Sequence, residues 1–463
     1  MIGRDAISRA FTKAIDISRY LRPSLREGER QYFMGMKFRR GAQGWGEEQR
    51  SAWVLQRLRE TIRYAAATPF YRDRFRDVGF DPMSDFSFAD YARLPILERS
   101  DVATHRDAMC SDSVSPAQRR KDGTGGSTGV PLVYFSGPEE RGWRLAGQDV
   151  FMERIGILRS SSTAFLWGHH IDQSERTQWR EQVRDTLTNR RWFDCFRLSP
   201  DILLEHHKAM TRFDPECLVA YASALDAMAV ALLENGLKAT YPRRRIVTGG
   251  EKLWPNQRER IERVFGVPIH ERYGSRELGL VAAQYDPTSS LALDIDWANL
   301  FVEPETEGDV SPIIVTKLHA DAMPMIRYRV GDQGRFPART GPGTPVWQLG
   351  EVLGRILDGL HTPDGRWVHG IGIPHLMKEI AVREYQIRQN ADYSVDILVV
   401  PDRNYSEAEG RKILEVLSKN LPGLLLRLQL VDEISRGNSN KWRPVVTHAV
   451  PRGAPGVTAP ESQ

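Results

Sequence analysis

The sequence predicts an α/β protein with a large N-terminal domain and a small α+β C-terminal domain. Residues 160–300 alternate helical patterns with short β-like runs, such as STAFLWG and VPIHERYG, which favours a sheet of parallel strands. Residues 301–336 contain strand-like pieces close together, which indicates a small antiparallel or barrel region. The last hundred residues have the pattern strand, helix, strand. The predicted domains are residues 1–353 and 354–463, and the Pro/Gly-rich tail after about residue 450 is predicted to be disordered.

Apolar spacing predicts individual elements along the chain. A helical repeat of apolar residues predicts a helix over 48–68, and a second helix is expected over 139–156. The most apolar stretch, Leu218–Leu233, is shorter than the roughly 20 residues of a membrane span and predicts a buried helix. Near the C-terminus, Ser406 with Glu409 predicts a capping box at the start of a helix that two alternating runs flank, YSVDILVV and LLRLQLV.

Composition excludes several classes of protein. The chain has 463 residues, 41% of them hydrophobic and 27% charged, which excludes collagen-like and disordered proteins. The net charge of +4 is too small and too evenly spread to indicate nucleic-acid binding. The three cysteines form no CxxC pair, so neither a disulfide framework nor a structural zinc site is expected. A reducing, cytoplasmic setting and the absence of a membrane span fit this composition.

The segment KDGTGGSTGVP (121–131) is the strongest local signal. Glycines let the backbone fold around an anion with its N–H groups turned inward, and hydroxyl groups add donors. The pattern is not a Walker loop, because no lysine follows the last glycine. It predicts a phosphate-binding loop, with a flexible polar loop as the alternative. The residues expected to bind phosphate are Thr124, Gly125, Ser127, Thr128 and Gly129.

Two further clusters suit a nucleotide site. RRRIVTGGEKL contains a double-glycine turn at Gly250 followed by Glu251, although an ordinary strand-to-loop transition would read the same way. HERYGSRELG places Tyr273 and Gly274 on a tight turn, where a ring can stack on a base. Glu277 follows and is predicted to bind Mg²⁺, which prefers hard oxygen ligands. As an isolated pattern, YGxxE also arises by chance.

The last two clusters are weak alone. In MPMIRYRVGDQGRF, Arg327 and Arg329 would share one face of a strand, and Asp332 would accept hydrogen bonds from ribose hydroxyls. A structural Arg–Asp pair is the alternative there. Lys441 ends the polar loop of SRGNSNKWRPV, and an ordinary exposed lysine is the alternative for it.

The order and spacing of these segments resemble the adenylate-forming ligase superfamily. Within it, the chain is similar to the phenylacetate–coenzyme A ligase family, in its capsule-biosynthesis-like branch, from about residue 50 to 445. The resemblance implies that the 124–131 loop holds the ATP phosphates. It also implies that Gly250, Glu251, Tyr273 and Gly274 line the adenine pocket, Asp332 binds ribose, Glu277 binds Mg²⁺, and Lys441 and Arg355 serve catalysis.

The resemblance has consequences for the domains, and the chain departs from the family pattern at the hinge. It implies an N-terminal adenylation domain over 1–353 and a small mobile C-terminal domain that carries Lys441. The hinge motif usually reads G-R-x-D-D, but here Leu357 takes the first acidic position and only Asp358 remains. The glycine-rich run that usually follows is replaced by LHTPDGRWVHG, which bears on coenzyme A and the thioester step.

The acid pocket is expected near WGHHIDQ (167–173), where members of the family contact their carboxylate. His169 and His170 would offer an N–H to the acid, although structural histidines are an equal alternative. Trp167 and Tyr221 suggest an aryl or other planar substrate.

The resemblance thus implies an AMP-forming carboxylate ligase that uses ATP and Mg²⁺ as a monomer or homodimer. Its acceptor would be coenzyme A, a carrier-protein thiol or an amine. Two alternatives stay open: a non-catalytic nucleotide-binding partner protein, and a polymer-modifying biosynthesis protein.

Overall fold

The computed structural model describes residues 27–123, 132–167, 185–195, 200–338, 340–355, 359–361, 367–369, 382–402, 405–421, 423–435 and 445–448. The chain divides into two compact units, Met1–Val352 and Leu353–Gln463. No helix in the part of the chain that is described is long and apolar enough to cross a membrane.

The helices of the first unit follow the apolar spacing of the sequence. The helix predicted over 48–68 is confirmed and ends at Ala65, because Thr68 caps the next helix, whose first residue is Pro69. The helix predicted over 139–156 is also confirmed. The helices are α1 (Glu27–Gly41), α2 (Glu47–Ala65), α3 (Pro69–Asp77), α4 (Phe88–Ala92), α5 (Arg99–His105), α6 (Pro138–Arg154), α7 (Pro200–Phe213), α8 (Ala222–Glu234) and α9 (Pro255–Phe265).

The central sheet is mainly parallel, as the alternation over 160–300 predicts. Its strands are β3 (Thr163–Trp167), β4 (Arg190–Asp194), β5 (Cys217–Ala220), β6 (Arg245–Gly249), β7 (Ile269–Ser275), β8 (Gly279–Ala283), β9 (Leu293–Ile295) and β13 (Gln348–Leu349). Among the described residues the strand order is β13-β9-β8-β7-β6-β5-β3-β4. Neighbours from β4 to β7 pair in parallel, and β8, β9 and β13 extend the sheet by antiparallel pairing.

Both faces of this sheet are covered. One face packs against α7, α8 and α9, and the other packs against α6. The apolar run Leu218–Leu233 is not the single helix that was predicted: it contains most of β5 and α8, with a break at Tyr221. A strand buried on both faces is as uniformly apolar as a buried helix, which explains the error.

A second sheet and a separate hairpin contain the strands β1 (Arg120–Gly123), β2 (Val133–Ser136), β10 (Leu300–Pro304), β11 (Val310–Lys317), β12 (Tyr328–Arg335) and β14 (Glu351–Arg355). The second sheet has the order β10-β11-β12-β14, which confirms the antiparallel pairing expected over 301–336. The antiparallel hairpin, β1 with β2, brackets the predicted phosphate loop.

The second unit is a small α+β domain. Its described elements are β15 (Gly359–His361), β16 (Trp367–His369), β17 (Val382–Gln389), β18 (Val395–Pro401), α10 (Glu407–Asn420), β19 (Leu426–Leu430) and β20 (Val445–Thr447). Its larger sheet has the order β19-β18-β17-β20, and the expected strand–helix–strand pattern is present. Ser406 precedes α10, but its side chain makes no capping hydrogen bond, so the predicted capping box is wrong.

A buried carboxylate on β7 makes stability depend on pH. Burial raises the pKa of Glu271 from 4.5 to about 7, although Arg258 at 3.9 Å and Lys252 oppose the shift and Glu351 adds to it. Because the folded protein holds this proton more tightly than the unfolded chain, raising the pH from 5 to 8 removes about 2–3 kcal/mol of stability.

Glu271→Gln removes this titration. We therefore expect the variant to gain stability relative to the wild type as the pH rises from 5 to 8, by about that amount. Urea unfolding at the two pH values measures it, and Glu259→Gln on the exposed surface of α9 is the control. If the unfolding free energy of Glu271→Gln changed between pH 5 and pH 8 by the same amount as that of the wild type, Glu271 would not be the group that titrates.

Candidate functional site

The parallel strands of the central sheet end at a common edge. β3 ends at Trp167, β5 at Ala220 and β6 at Gly249. Their register pairs Leu166 with Ala220, and Ala220 with Thr248, so the ends coincide to within one residue. Open α/β sheets bind ligands outside the carboxyl ends of their strands, which makes this edge the candidate site.

The aromatic residues predicted for the acid pocket lie together at this edge. The rings of Trp167 and Tyr221 stack with centroids 3.9 Å apart and an angle of 22°. Gly250 has a φ of +78°, and a Cβ atom there would lie 2.8 Å from a ring carbon of Tyr221. Burial raises the pKa of the Tyr221 hydroxyl well above its usual value. The glycine turn and the aromatic pair are therefore packed as one group.

The carboxylate of Glu251 ties the same turn to a helix. One of its oxygens accepts a hydrogen bond from the backbone N–H of Ser223, at 3.0 Å. Ser223 lies in the first turn of α8, where backbone N–H groups have no partner within the helix and a negative charge is favoured. Glu251 therefore anchors the turn that was predicted to line the adenine pocket.

The predicted adenine and ribose residues are joined directly. The hydroxyl of Tyr273 on β7 donates a hydrogen bond to the Asp332 carboxylate on β12, at 2.7 Å. Gly274, also predicted, continues β7 and pairs with Leu280. Gly331, next to Asp332, has a φ of +88°, a conformation that favours glycine. The two sheets of the first unit thus bring Tyr273 and Asp332 to one place.

The neighbouring arginines have structural partners. Arg327 precedes β12 with a left-handed φ of +53° and pairs with the buried Glu303 at 2.9 Å. Arg329 pairs with Glu305 and Glu98. The prediction that both arginines share one strand face is wrong, because Arg327 lies outside the strand, and the ion pairs are with glutamates rather than Asp332.

Glu277 lies in a buried ionic group just after β7. Its side chain is almost fully buried and interacts electrostatically with Lys317 and Tyr134. The ammonium of Lys317 contacts one oxygen of Glu140 at 2.8 Å, while the other Glu140 oxygen is buried without a partner among the described residues. Burial lowers the pKa of Lys317, and the nearby Glu140 and Glu277 raise it in part.

The ends of the predicted phosphate loop lie close to this group. The hairpin register places Gly123 opposite Val133, so the residues that flank the loop on its two sides lie next to each other. Arg276, beside Glu277, donates a hydrogen bond to the carbonyl oxygen of Gly123 at 3.3 Å. The loop residues themselves lie outside the described residues: Thr124, Gly125, Ser127, Thr128 and Gly129.

The acidic residues present fit a magnesium ion that arrives with phosphates. In the described ranges, no three His, Cys, Asp or Glu side chains cluster as a metal cage. Mg²⁺ is usually held by one or two carboxylates together with substrate phosphates and water. Glu277 supplies one such carboxylate beside the start of the loop, and the unpartnered oxygen of Glu140 lies in the same ionic group.

The remaining predicted residues are not described in full. His169, His170 and Lys441 lie outside the described residues. Arg355 ends β14, and its side chain also lies outside them.

One residue of this edge was missed by sequence reasoning. Arg272 pairs with Gly249 across β7 and β6, and its guanidinium lies 5.5 Å from the ring of Trp167. The sequence signal that could have identified Arg272 is a charged residue within a strand of a covered parallel sheet, where most residues are apolar.

Known proteins match the chain in sequence. A family model described as the CapK C-terminal domain matches residues 360–448. Protein CapK of Staphylococcus aureus is 24% identical over 247 residues, which cover 53% of this chain and 54% of CapK. A phenylacetate-coenzyme A ligase of Pseudomonas putida is 21% identical over 322 residues, 66% of this chain and 70% of that ligase. The match to CapK thus spans about half of that relative's length.

The chain also matches solved structures. The crystal structure of 2-hydroxyisobutyryl-CoA ligase in the postadenylation state, in complex with 2-HIB-AMP, aligns with a TM-score of 0.66 and 18% identity. The alignment covers 87% of this chain and 90% of that one. The fold is that of the adenylate-forming ligases. The predicted α/β class and the resemblance drawn from the motifs are therefore confirmed.

The packing at Gly250 can be tested by adding one methyl group. Gly250→Ala would cost about 1–2 kcal/mol for its left-handed backbone and about 1–3 kcal/mol more for overlap with Tyr221. Gly266→Ala is the matched control, since its φ is +69° and no atom lies within 4 Å of the added Cβ. We expect urea unfolding to show the larger loss at Gly250, and equal losses would refute the close packing.

Proposed function

We propose that the chain is an ATP-dependent, AMP-forming carboxylate ligase. It would join a carboxylic acid to the α-phosphate of ATP and release pyrophosphate. The hydrogen bond between Tyr273 and Asp332 carries this assignment, because it holds an aromatic ring and a carboxylate together beside the carboxyl ends of the parallel strands. A ring that stacks on a base and a carboxylate that accepts ribose hydroxyls are what an adenosine group needs. The 2-HIB-AMP complex of the similar ligase supports the same use of the fold.

The phosphate end of ATP is assigned to the hairpin side of the site. Because Arg276 links the first strand of the hairpin to the turn after β7, the 124–131 loop starts beside Glu277. We propose that the backbone N–H and hydroxyl groups of the loop hold the phosphates. Mg²⁺, when bound, would neutralise phosphate charge, and Glu277 would be its ligand. Lys317 keeps the charge of this buried group balanced.

Adenylation brings two anions together, so charge must be neutralised where they meet. We propose that Lys441 contacts the oxygens of the carboxylate and the α-phosphate, and that Arg355 serves the hinge element of the small domain, residues 354–463. Preorganised donors at such a position are worth about 10²- to 10³-fold in rate.

For the acceptor of the activated acid we propose a chemical class, a thiol or amine nucleophile, rather than one compound. Coenzyme A, a carrier-protein thiol and an amine all attack an acyl-adenylate as nucleophiles. The replaced hinge residue Leu357 and the segment LHTPDGRWVHG favour testing each class rather than coenzyme A alone. An added acceptor that consumes the adenylate would raise the steady rate of AMP formation.

Lys441→Ala tests the assignment. We expect the variant to fold and to bind ATP, but to release pyrophosphate in a carboxylate-dependent assay at least about 10²-fold more slowly. Lys419→Ala is the control, because that lysine is exposed on α10 and pairs with Glu415, at 2.8 Å.

Two outcomes would count against the assignment. An unchanged rate in Lys441→Ala would remove the proposed role of the lysine. A wild-type chain that binds ATP but releases no pyrophosphate with any acid of a broad panel would favour the non-catalytic partner protein instead.

A further inference from the structure

Arg272 is a charged side chain in an apolar layer. Its register with Gly249 places it on the face of the central sheet that packs against α6. The same face holds apolar residues such as Val219 and Val247, and the register also places His270 and Arg245 on it. The side chain is half-buried, and its burial lowers the pKa of the guanidinium, although an arginine stays charged at neutral pH.

Two arginines of this unit that are almost fully buried have carboxylate partners. Arg39 pairs with Asp296 at 2.8 Å, and Arg327 with Glu303 at 2.9 Å. For Arg272, no carboxylate among the described residues comes within 4.0 Å. Its electrostatic neighbours are Cys217 and Tyr221, which are neutral because burial raises the pKa of each.

The surroundings hold this guanidinium in place. A Cβ atom on Gly249 would lie 2.9 Å from Cγ and 3.1 Å from Nε of Arg272, so the side chain runs directly across the glycine. The ring of Trp167 lies 5.5 Å from the guanidinium carbon, within the range of a cation–π contact. A fixed, partly desolvated charge without a counter-ion is unfavourable, and a ligand anion would relieve that cost.

Strand alternation separates this charge from the proposed nucleotide residues. Tyr273 follows Arg272 directly, so the two side chains point to opposite faces of β7. Tyr273 reaches Asp332, whereas Arg272 lies beside the stacked pair of Trp167 and Tyr221. The guanidinium is thus on the side of the strand where the acid, not the adenosine, is expected.

We infer that the acid activated by this enzyme is a dicarboxylic acid, whose second carboxylate is bound by Arg272. Two parallel N–H···O bonds between a guanidinium and a carboxylate give such a contact both strength and direction. This inference rests on the proposed ligase function. It also argues against a flat aromatic acid held between Trp167 and Tyr221, because these two rings stack on each other rather than leaving a ring-sized gap between them.

The test compares acids matched in length. Pyrophosphate release is measured with butanoate against succinate, pentanoate against glutarate, and hexanoate against adipate, for the wild type, Arg272→Met and Arg263→Met. Arg263 is the control, since it is exposed at the end of α9. We expect the wild type to prefer at least one diacid over its partner. In Arg272→Met the ratio of kcat/KM for that pair should fall about 10- to 100-fold, while Arg263→Met keeps it.

Each other outcome has a distinct meaning. An unchanged ratio in Arg272→Met, as when an acid elsewhere in the chain already pairs with the guanidinium, would overturn the inference. An equal loss with both acids of every pair would assign Arg272 to the reacting carboxylate and also overturn it. In either case the ligase function would stand. A wild type that releases pyrophosphate with other acids but prefers no diacid would overturn the inference alone, whereas no release with any acid of the broad panel would remove the ligase function itself.

A binding measurement further separates a failure of this inference from a failure of the proposed ligase function. Calorimetric titration of the full chain with the diacids requires no turnover, and we expect Arg272→Met to weaken diacid binding by a similar factor. Arg272→Lys covers the case in which the methionine variant does not fold, because lysine keeps the charge but loses the paired donors. Diacid binding that is equal in the wild type and both variants would contradict the inference even without any catalysis.

Discussion

The double-glycine turn after β6 is the constraint on which the site depends. Gly249 leaves the space that Arg272 crosses, and Gly250 leaves the space that Tyr221 occupies. Glu251 then fastens the turn to the start of α8. A side chain at either glycine would displace a neighbour, so the close packing of Arg272 and Tyr221 against this turn requires glycine at both positions.

The alternation of β7 then divides the site in two. Tyr273 and Asp332 form one side. Arg272, with Trp167 and Tyr221, forms the other side. A reaction that joins an acid to a nucleotide needs two such compartments that meet at one point, and a single strand with alternating side chains supplies the boundary between them.

The sequence predicted features that depend on a repeating pattern or on residues close together along the chain. The helical spacing of α2 and the β-like run VPIHERYG identified elements, and the ordered motifs identified Tyr273 and Asp332 as candidate site residues. The sequence did not predict features that depend on packing between residues far apart in the sequence. The run Leu218–Leu233 has no periodicity that separates a strand from a helix. Similarly, the lack of a carboxylate near Arg272 among the described residues depends on strands far apart in sequence. The Ser406 pattern could not fix the direction of its side chain.

The most direct test of this account is the structure of the full chain with a non-hydrolysable acyl-adenylate analogue. The account predicts the adenine against Tyr273, the ribose hydroxyls within hydrogen-bonding distance of Asp332, and the acyl group past the Gly249–Gly250 turn on the side of Arg272. An analogue bound away from the carboxyl ends of the parallel strands, with Asp332 making no contact to the ribose, would contradict it.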